Sequence, residues 1–255
     1  MKDILVTGGL GYIGSHTVVQ LIEKNYNVTI VDNLSNSKIF ILDNIEKITG
    51  KRPHYFNIDL TDYNKINSCF SKNKFDGVIH FAALKSVSES INHPDKYYHN
   101  NLNSLLNLLR CMKESDIKNI IFSSSCTVYG QPDKLPVSEK SPFKEAESPY
   151  ARTKQMSENI IEDFTNSISY LSAISLRYFN PVGAHHSGLI GELPLGTPDN
   201  LVPYITQTAA GIRQELKIFG DDYNTHDGTA IRAVSYTHLR AHETEADLVC
   251  RLLLE

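Results

Sequence analysis

Short runs of aliphatic and β-branched residues alternate with longer helical stretches along this chain. The runs that are typical of strands cover residues 4–6, 28–31, 78–81, 120–122 and 173–176. Each run is apolar enough to be buried on both faces of a parallel sheet. A strand, a helix and a parallel strand in succession form the repeating unit of doubly wound folds. The pattern therefore predicts an α/β protein built on a doubly wound parallel sheet.

Helical spacing and capping residues place the helices between these strands. The first helix begins at about Ile13, and leucines at positions 102, 105, 106 and 109 repeat at helical spacing. Ser148 supplies an N-cap and Pro149 a first helical residue, so we expect a helix over residues 149 to about 164. Beyond residue 176 glycine and proline become frequent, which indicates a smaller substructure. We expect a large domain over residues 1–180 and a smaller one over 181–232.

Composition narrows the class of protein. The 255 residues carry 25 Lys and Arg against 29 Asp and Glu, so no overall positive field would attract nucleic acid. No stretch approaches the ~18 apolar residues of a membrane span, and the first residues lack the apolar core of a signal peptide. The four cysteines show no C-x-x-C spacing, and His185 and His186 lack companions at ligand spacing. We expect a cytoplasmic protein that binds no nucleic acid, membrane or metal ion.

A glycine-rich motif follows the first predicted strand. Gly9, Gly11 and Gly14 form a G-x-G-x-x-G pattern at the start of the first helix. Glycines let a pyrophosphate approach the backbone, and the helix N-terminus offers oriented N–H groups and about half a positive charge. Asp32 ends the second strand 18 residues after Gly14, where its carboxylate can accept from a ribose 2′-hydroxyl and repels a 2′-phosphate. The motif predicts a Rossmann site for NAD rather than NADP.

A second group of candidate residues combines a tyrosine, a lysine and a run of serines. Tyr150 and Lys154 are four residues apart on the predicted helix, so the phenol and the ammonium share one face. A cation about 4 Å away, in an effective dielectric of about 20, is worth roughly 4 kcal/mol, enough to bring a tyrosine pKa from 10 toward 7. An oxidised nicotinamide would add a second positive charge. Ser123, Ser124 and Ser125 end the 120–122 strand, where α/β sheets place ligands, and a hydroxyl there could hold a substrate against Tyr150.

Several longer segments extend these motifs over residues 1–232. They read VTGG at 6–9, GSH at 14–16, DNLSNS at 32–37, HFAALK at 80–85, RYFNPVGA at 177–184 and DGT at 227–229. In these segments the chain resembles the extended short-chain dehydrogenase/reductase family, and within it the nucleotide-sugar C4 epimerases. The resemblance implies NAD-dependent interconversion of UDP-galactose and UDP-glucose through a transient 4-keto sugar, in galactose metabolism. It also implies a homodimer for the full-length form of the family.

The resemblance implies roles for individual residues. Ser125 and Tyr150 would be the catalytic hydroxyls, Lys154 would tune them, and all three would also touch NAD. The rest of the NAD site would comprise Gly8, Gly11, Tyr12, Ile13, Gly14, Asp32, Asn33, Asn36, Ser37, Asp59, Leu60, Phe81, Ala82, Ala83, Lys85, Asn100 and Tyr178. Asp59 and Leu60 would lie at the adenine end and Tyr178 beside the nicotinamide. The nucleotide sugar would contact Lys85, Ser125, Tyr150, Asn180, Asn200, Leu201, Phe219 and the diphosphate ligand Arg232.

Other functions are weighed against the same residues. A nucleotide-sugar 4,6-dehydratase would share the fold, the tyrosine and the lysine, but needs an acid and a base for water elimination, usually an Asp-Glu pair. Cys126 and Thr127 occupy the place of that pair, and no extra acid nearby supports a decarboxylase. A non-catalytic NAD-binding protein would need Asp32 and the glycines, but none of the three predicted catalytic residues.

The resemblance stops after Arg232. Where the family would continue into a D-Y-I-H-like segment and a helix returning to the large domain, this chain reads AVSYTHLR from residue 233. We expect residues 233–255 to be a non-native tail that resembles translated vector or adapter sequence. Family members are longer, so the substrate domain is expected to be incomplete and substrate binding to be impaired.

Overall fold

A six-stranded parallel sheet forms the centre of the molecule. The computed structural model describes residues 1–217 and 220–229 and the backbone of residues 235–236. The strands are β1 (Asp3–Thr7), β2 (Asn27–Val31), β3 (His54–Phe56), β4 (Gly77–His80), β5 (Asn119–Ser125) and β6 (Ser172–Tyr178). Their order in the sheet is β3-β2-β1-β4-β5-β6, and every neighbouring pair is parallel. The predicted doubly wound parallel sheet is confirmed.

Helices connect the strands and cover both faces of the sheet. They are α1 (Tyr12–Glu23), α2 (Phe40–Thr49), α3 (Tyr63–Lys72), α4 (Val87–Asn92), α5 (Pro94–Glu114) and α6 (Pro149–Ser167), with a 3₁₀ helix (Cys126–Tyr129) after β5. Alternate side chains of a strand point to opposite faces. Ile4 and Val6 accordingly pack with α1 and α2, while Leu5 packs with α3, α5 and α6. The side chains of Ile4, Leu5 and Val6 are all fully buried, so β1 lies in the core.

The predicted start of α6 is also confirmed. The Ser148 hydroxyl accepts a hydrogen bond from the Ala151 N–H at 3.1 Å, and Pro149 is the first helical residue. This cap satisfies an N–H that would otherwise lack a partner in the first turn. It also fixes the helical register that carries Tyr150 and Lys154.

Two strands differ from the sequence-based prediction. β3 was not predicted, because its three residues His54, Tyr55 and Phe56 are too few to show a pattern. The prediction that the 173–176 strand is buried on both faces is wrong, since residues from Ala173 to Tyr178 are only partly buried. β6 is an edge strand, and residues of β6 and α6 line an open cavity of about 290 Å³.

Irregular structure follows β6, as the frequent glycines and prolines predict. Its regular elements among the described residues are β7 (Pro181–Val182), α7 (Leu201–Ala209) and β8 (Ser235–Tyr236), and β7 pairs with β8 in parallel. Phe219, Arg232 and all of the expected tail 233–255 except the β8 backbone lie outside the described residues. Within the described part of the chain, no helix is both long and apolar enough to cross a membrane.

Candidate active site

The glycine turn between β1 and α1 is built by close backbone approach. Gly8 has a φ of +68°, and a Cβ there would lie 2.7 Å from the Ala82 nitrogen. A Cβ on Gly14 would lie 2.2 Å from the Gly8 carbonyl oxygen. Helix α1 then starts at Tyr12 after Gly11, with no side-chain cap and no acidic residue in its first turn. The turn therefore presents a helix N-terminus to the carboxyl edge of the sheet, as the motif predicts.

Asp32 lies beside this turn. Its Oδ2 accepts from the Leu10 N–H at 3.1 Å, and its Oδ1 accepts from the Leu34 N–H at 2.9 Å and the Ser37 hydroxyl at 2.7 Å. The residue is 8% exposed. The structure thus brings together the glycine turn and Asp32, which the spacing of the motif associates, and Ser37, which the family resemblance implies.

Asp59 joins this group from the loop after β3. Asn33 Nδ2 donates to its Oδ2 at 3.1 Å, and the Thr61 N–H and hydroxyl donate to its Oδ1. Burial favours the neutral acid, but these hydrogen bonds outweigh burial and hold the pKa of Asp59 below its usual value. The neighbouring Leu60 packs its side chain into the core, and Asn36 is exposed. A contact from Leu60 to a cofactor would therefore come from its backbone.

The three predicted catalytic residues converge at the end of β5. Tyr150 and Lys154 are 9% and 4% exposed on α6, and the Ser125 hydroxyl lies close enough to the Tyr150 hydroxyl to lower its pKa. The Lys154 Nζ donates to the Ser123 carbonyl oxygen at 2.7 Å and lies 5.9 Å from the centre of the Tyr150 ring. The Thr127 N–H and hydroxyl donate to the Ser125 oxygen at 3.2 and 3.0 Å and fix its position.

The pKa shift of Tyr150 differs from the shift that the sequence predicts. Burial raises the pKa of Tyr150, the Ser125 hydrogen bond opposes that shift, and Lys154 is not among its causes. Burial lowers the pKa of Lys154 to about 8, with Glu158 opposing the shift. The expectation that Lys154 brings the phenol toward neutrality is therefore not met by the chain's own groups, since desolvation of the phenolate dominates.

The loop after β4 contributes the next predicted segment. Its Phe81 N–H donates to the Thr7 carbonyl at 3.0 Å, which holds residues 81–85 against the glycine turn. Buried Asn101 bonds both backbone groups of Leu84, at 2.8 and 3.1 Å, and donates to the Thr153 hydroxyl at 3.1 Å. Asn100 was predicted to contact NAD, whereas the role of Asn101 was not predicted. The available signal was a polar residue at the helical spacing of buried Tyr97 and Leu105.

Two of the predicted substrate contacts, Lys85 and Asn200, meet at Glu192, a carboxylate that the sequence patterns do not mark. Glu192 Oε1 lies 3.4 Å from Lys85 Nζ and accepts from Asn200 Nδ2 at 2.7 Å. Asn200 precedes α7, whose first residue, Leu201, is exposed. Among the other predicted substrate contacts, Asn180 lies just beyond the end of β6, and Tyr178, predicted to lie beside the nicotinamide, is in register with Ser125. No local pattern marks Glu192, because its partners lie far away along the chain or across a loop.

His80 is the last residue of β4 and packs between the neighbouring strands β1 and β5. Its Nδ1 is 2.7 Å from the Thr7 hydroxyl oxygen, and its ring stacks on Phe122 with centres 5.9 Å apart. Burial, with a smaller contribution from the charge of Lys154, lowers the pKa of His80 to about 3. The imidazole is therefore neutral in the folded protein at neutral pH.

This neutral histidine predicts acid sensitivity. Between about pH 6.5 and about pH 3 the unfolded chain binds a proton at His80 that the folded protein does not. The free energy of unfolding should fall by about 1.4 kcal/mol per pH unit from this group, or roughly 2 kcal/mol between pH 6.5 and pH 5. Urea unfolding at pH 7.5 and pH 5 should show a shallower loss in His80→Gln than in the unmodified chain or in the exposed control His54→Gln. Equal losses in all three proteins would contradict this assignment.

Comparison with known proteins identifies the family. Residues 5–250 match a family model described as GDP-mannose 4,6 dehydratase. The chain is 51% identical over 240 residues to UDP-glucose 4-epimerase uge1 of Schizosaccharomyces pombe, covering 92% of this chain and 67% of that protein. It is 47% identical over 242 residues to the UDP-glucose 4-epimerase of Drosophila melanogaster, covering 92% of this chain and 69% of that one. The chain belongs to the UDP-glucose 4-epimerase family.

Solved structures of this epimerase family share the fold. The UDP-glucose 4-epimerase of Stenotrophomonas maltophila, crystallised with NAD and formylated UDP-arabinopyranose, superposes with a TM-score of 0.88 at 45% identity. The superposed region covers 92% of this chain and 70% of that epimerase. The UDP-glucose 4-epimerase of Bifidobacterium longum, crystallised with NAD+ and UDP, gives a TM-score of 0.89 at 43% identity, with coverages of 95% and 74%. The chain thus spans about seven tenths of these epimerases.

Proposed function

We propose that this chain is an NAD-dependent epimerase that inverts C4 of UDP-hexoses and interconverts UDP-galactose and UDP-glucose. The observation that carries the proposal is the convergence of Ser125, Tyr150 and Lys154 at the end of β5. This is the edge of the sheet at which the glycine turn presents the start of α1. Membership in the epimerase family supports the same reaction.

The residues around the glycine turn fit NAD. Helix α1 begins without a side-chain cap or an acidic residue, so its first N–H groups suit a pyrophosphate. Asp32 is held by the Leu10 N–H and Ser37, with its carboxylate at the end of β2 where a ribose is expected. Lys154 lies beside Tyr150, where a nicotinamide ribose would be held. When bound, NAD supplies the acceptor and donor of the C4 hydrogen and a positive charge near the phenol.

The chain's own residues handle the proton of the sugar. Tyr150, as phenolate, accepts the proton of the 4-hydroxyl as the C4 hydrogen leaves, and it returns that proton after the 4-keto sugar has turned. Ser125 donates to the Tyr150 oxygen and stabilises its anionic form. We expect the nucleotide end to be held by Asn180, Asn200, Leu201, Phe219 and Arg232. With that end fixed, the hexose can present its other face, and C4 is inverted with no net oxidation.

Dehydration is the alternative that the description of the matching family model raises. Water elimination needs an acid and a base beyond Tyr150. The 3₁₀ helix after Ser125 begins with Cys126 and Thr127 and carries no acidic residue in its first turn. The Thr127 hydroxyl is already bonded to Ser125. This favours epimerisation over a 4,6-dehydratase.

Three finer assignments belong to the same proposal. We propose that residues 1–180 bind NAD and residues 181–232 form part of the nucleotide-sugar domain. We also propose a cytoplasmic location and a homodimer. Leu106 on α5 and Met156 on α6 are 38% and 39% exposed, and such apolar side chains on adjacent helices suit a contact between two copies. Light scattering of the purified chain tests the dimer, and cell fractionation tests the location.

An enzyme assay tests the proposed reaction. The purified chain, supplied with NAD, is incubated with UDP-galactose, and UDP-glucose is measured by proton NMR. We expect UDP-glucose to form until both sugars reach equilibrium, with no net NADH. A folded chain that binds NAD and gives no product would contradict the proposed epimerase and favour a non-catalytic NAD-binding protein.

Cofactor choice gives a further prediction. Asp32→Asn removes the negative charge that repels a 2′-phosphate, and it weakens the acceptor for a ribose hydroxyl, so NAD affinity should fall by about tenfold or more. The preference for NAD over NADP should narrow at the same time. Calorimetric titration with both cofactors measures the change, and exposed Asp163→Asn on α6 is the control. If Asp32→Asn keeps the original preference, Asp32 does not select the cofactor.

A further inference from the structure

A shielded ion pair lies one helical turn beyond the catalytic lysine. Arg177 on β6 donates through Nε to Glu158 Oε1 at 3.0 Å and through Nη2 to Glu158 Oε2 at 2.7 Å. The two side chains are only 20% and 10% exposed. Arg177 Nη1 also donates to the Tyr129 hydroxyl at 3.0 Å, and the guanidinium lies 5.0 Å from the ring centres of Tyr129 and Phe143. Two parallel hydrogen bonds fix the orientation of both partners more tightly than a single contact would.

The same carboxylate reaches the catalytic strand. The Ser124 hydroxyl donates a hydrogen bond to Glu158 Oε1, and Ser124 stands opposite Arg177 in the β5–β6 register. Glu158 therefore joins three elements, namely α6, β5 and β6. Ser124 lies between the Ser123 carbonyl, which holds Lys154, and Ser125, which meets Tyr150.

The contacts between β5 and α6 form one ordered series. Three consecutive strand residues each face one helix residue: the Ser123 carbonyl accepts from Lys154, the Ser124 hydroxyl donates to Glu158, and Ser125 lies beside Tyr150 and lowers its pKa. The three helix residues are spaced by four, so they lie along one stripe of α6. The Glu158 contact is the only one of the three that is anchored in turn by a charged partner, Arg177, within the described residues.

We propose that Glu158 and Arg177 are positioning residues that fix the end of β5 against α6 and thereby align Lys154 and Ser125 with Tyr150. The catalytic meaning of this role rests on the proposed epimerase function. Neither residue touches the reacting atoms. Misplacement of reacting groups by about 1 Å can cost about 100-fold in rate, so a rigid support of this kind has a measurable effect.

The charges around Lys154 support the same role. Tyr150 and Glu158 face it from α6, and His80 faces it from β4. Burial lowers the pKa of Lys154 and Glu158 raises it. Because His80 is neutral at pH 7, Glu158 is the negatively charged group among the described residues that raises the pKa of Lys154. Arg177 in turn keeps the Glu158 carboxylate paired, which makes its burial tolerable.

The test compares Glu158→Gln with Glu162→Gln, the same change one turn further along α6 at an exposed position. The chain is labelled with ¹³C-lysine, and the Lys154 signal is assigned with Lys154→Met. We expect the titration of Lys154 to move to lower pH in Glu158→Gln and to stay unchanged in Glu162→Gln. We also expect kcat to fall by about tenfold or more in Glu158→Gln, with KM for UDP-galactose within about twofold. The alkaline limb of the kcat profile should move to lower pH with the lysine.

Two further variants keep the test decisive. Ser124→Ala removes only the hydroxyl link and leaves Glu158 paired with Arg177, so it should fold and lose a smaller part of kcat. Arg177→Lys keeps the charge but loses the parallel bonds, and its kcat should lie between those of Glu158→Gln and the unmodified chain. If Glu158→Gln does not fold, the kcat and the Lys154 titration of Ser124→Ala test the positioning role instead.

The lysine titration needs no turnover, so it separates this proposal from the proposed function. A shifted Lys154 titration in an inactive chain would support the positioning role and contradict the epimerase assignment. Unchanged titration and kcat in the folded variants would overturn the positioning role. A lower melting temperature without a change in the titration or in kcat relative to KM would show a merely structural ion pair and would also overturn it.

Discussion

Replacing Tyr150 by Phe is expected to lower kcat for C4 epimerisation by about 10³-fold, within the range for loss of a general acid–base group. The substitution removes one oxygen from a ring that stays packed, since Tyr150 is buried at the second position of α6. NAD affinity and the unfolding midpoint should change little. Initial rates of UDP-glucose formation, with NAD titrated separately, measure both effects.

The matched control for this change is Tyr170→Phe. Tyr170 lies just after α6, and its hydroxyl bonds the Lys113 carbonyl at 3.4 Å and Asp116 at 3.2 Å, near the first residue of β5 and at the opposite end of that strand from Ser125. This variant should turn over like the unmodified chain. If Tyr150→Phe keeps more than about a tenth of the original kcat, another group carries the proton and the assignment of Tyr150 is wrong.

Gly14→Ala is expected to abolish measurable NAD binding, the second large effect. The added methyl would lie 2.2 Å from the Gly8 carbonyl oxygen and 2.9 Å from the Gly9 Cα. Both are backbone atoms of the turn that presents the start of α1, so relief requires the turn itself to move. We expect NAD affinity to fall by at least about 100-fold, equivalent to roughly 2.7 kcal/mol. Fluorescence titration measures the affinity for NAD, and urea unfolding measures whether the shift of the turn changes the stability of the fold.

Gly50→Ala is the control for the glycine change. Gly50 ends α2 with a φ of +69° and has open space where a Cβ would lie. Alanine there should cost about 1 kcal/mol of stability through its left-handed backbone, with no change in NAD affinity. Equal NAD affinities for Gly14→Ala and Gly50→Ala would show that the glycine turn does not form the cofactor site.

Local patterns predicted the parts of the fold that depend on neighbouring residues. The apolar run of β1, the glycine turn and the Ser148 cap each act within a few positions, and each is found where the sequence places it. β3 was missed because a three-residue strand shows no periodicity. The exposure of β6 was missed because a strand's place in the sheet depends on its partners and not on its own residues.

In the candidate site, too, local patterns predict some residues, and distant contacts determine the others. Asp32, Tyr150 and Lys154 were found because a motif or a helical spacing ties each to a neighbour. Glu192 and Asn101 were missed because their role depends on contacts across 107 and 52 positions, to Lys85 and Thr153 respectively. The shift in the pKa of Tyr150 also depends on burial, which the packing of α6 against β5 decides.

The central claim is that this chain inverts C4 by removing and returning the same hydrogen. Its most direct test is to incubate the NAD-loaded chain with UDP-galactose in D₂O and to record the proton NMR spectrum of the product. We expect UDP-glucose with protium retained at C4, because the hydrogen that leaves C4 never exchanges with solvent. UDP-glucose carrying deuterium at C4, or a folded and NAD-loaded chain that forms no UDP-glucose, would contradict it.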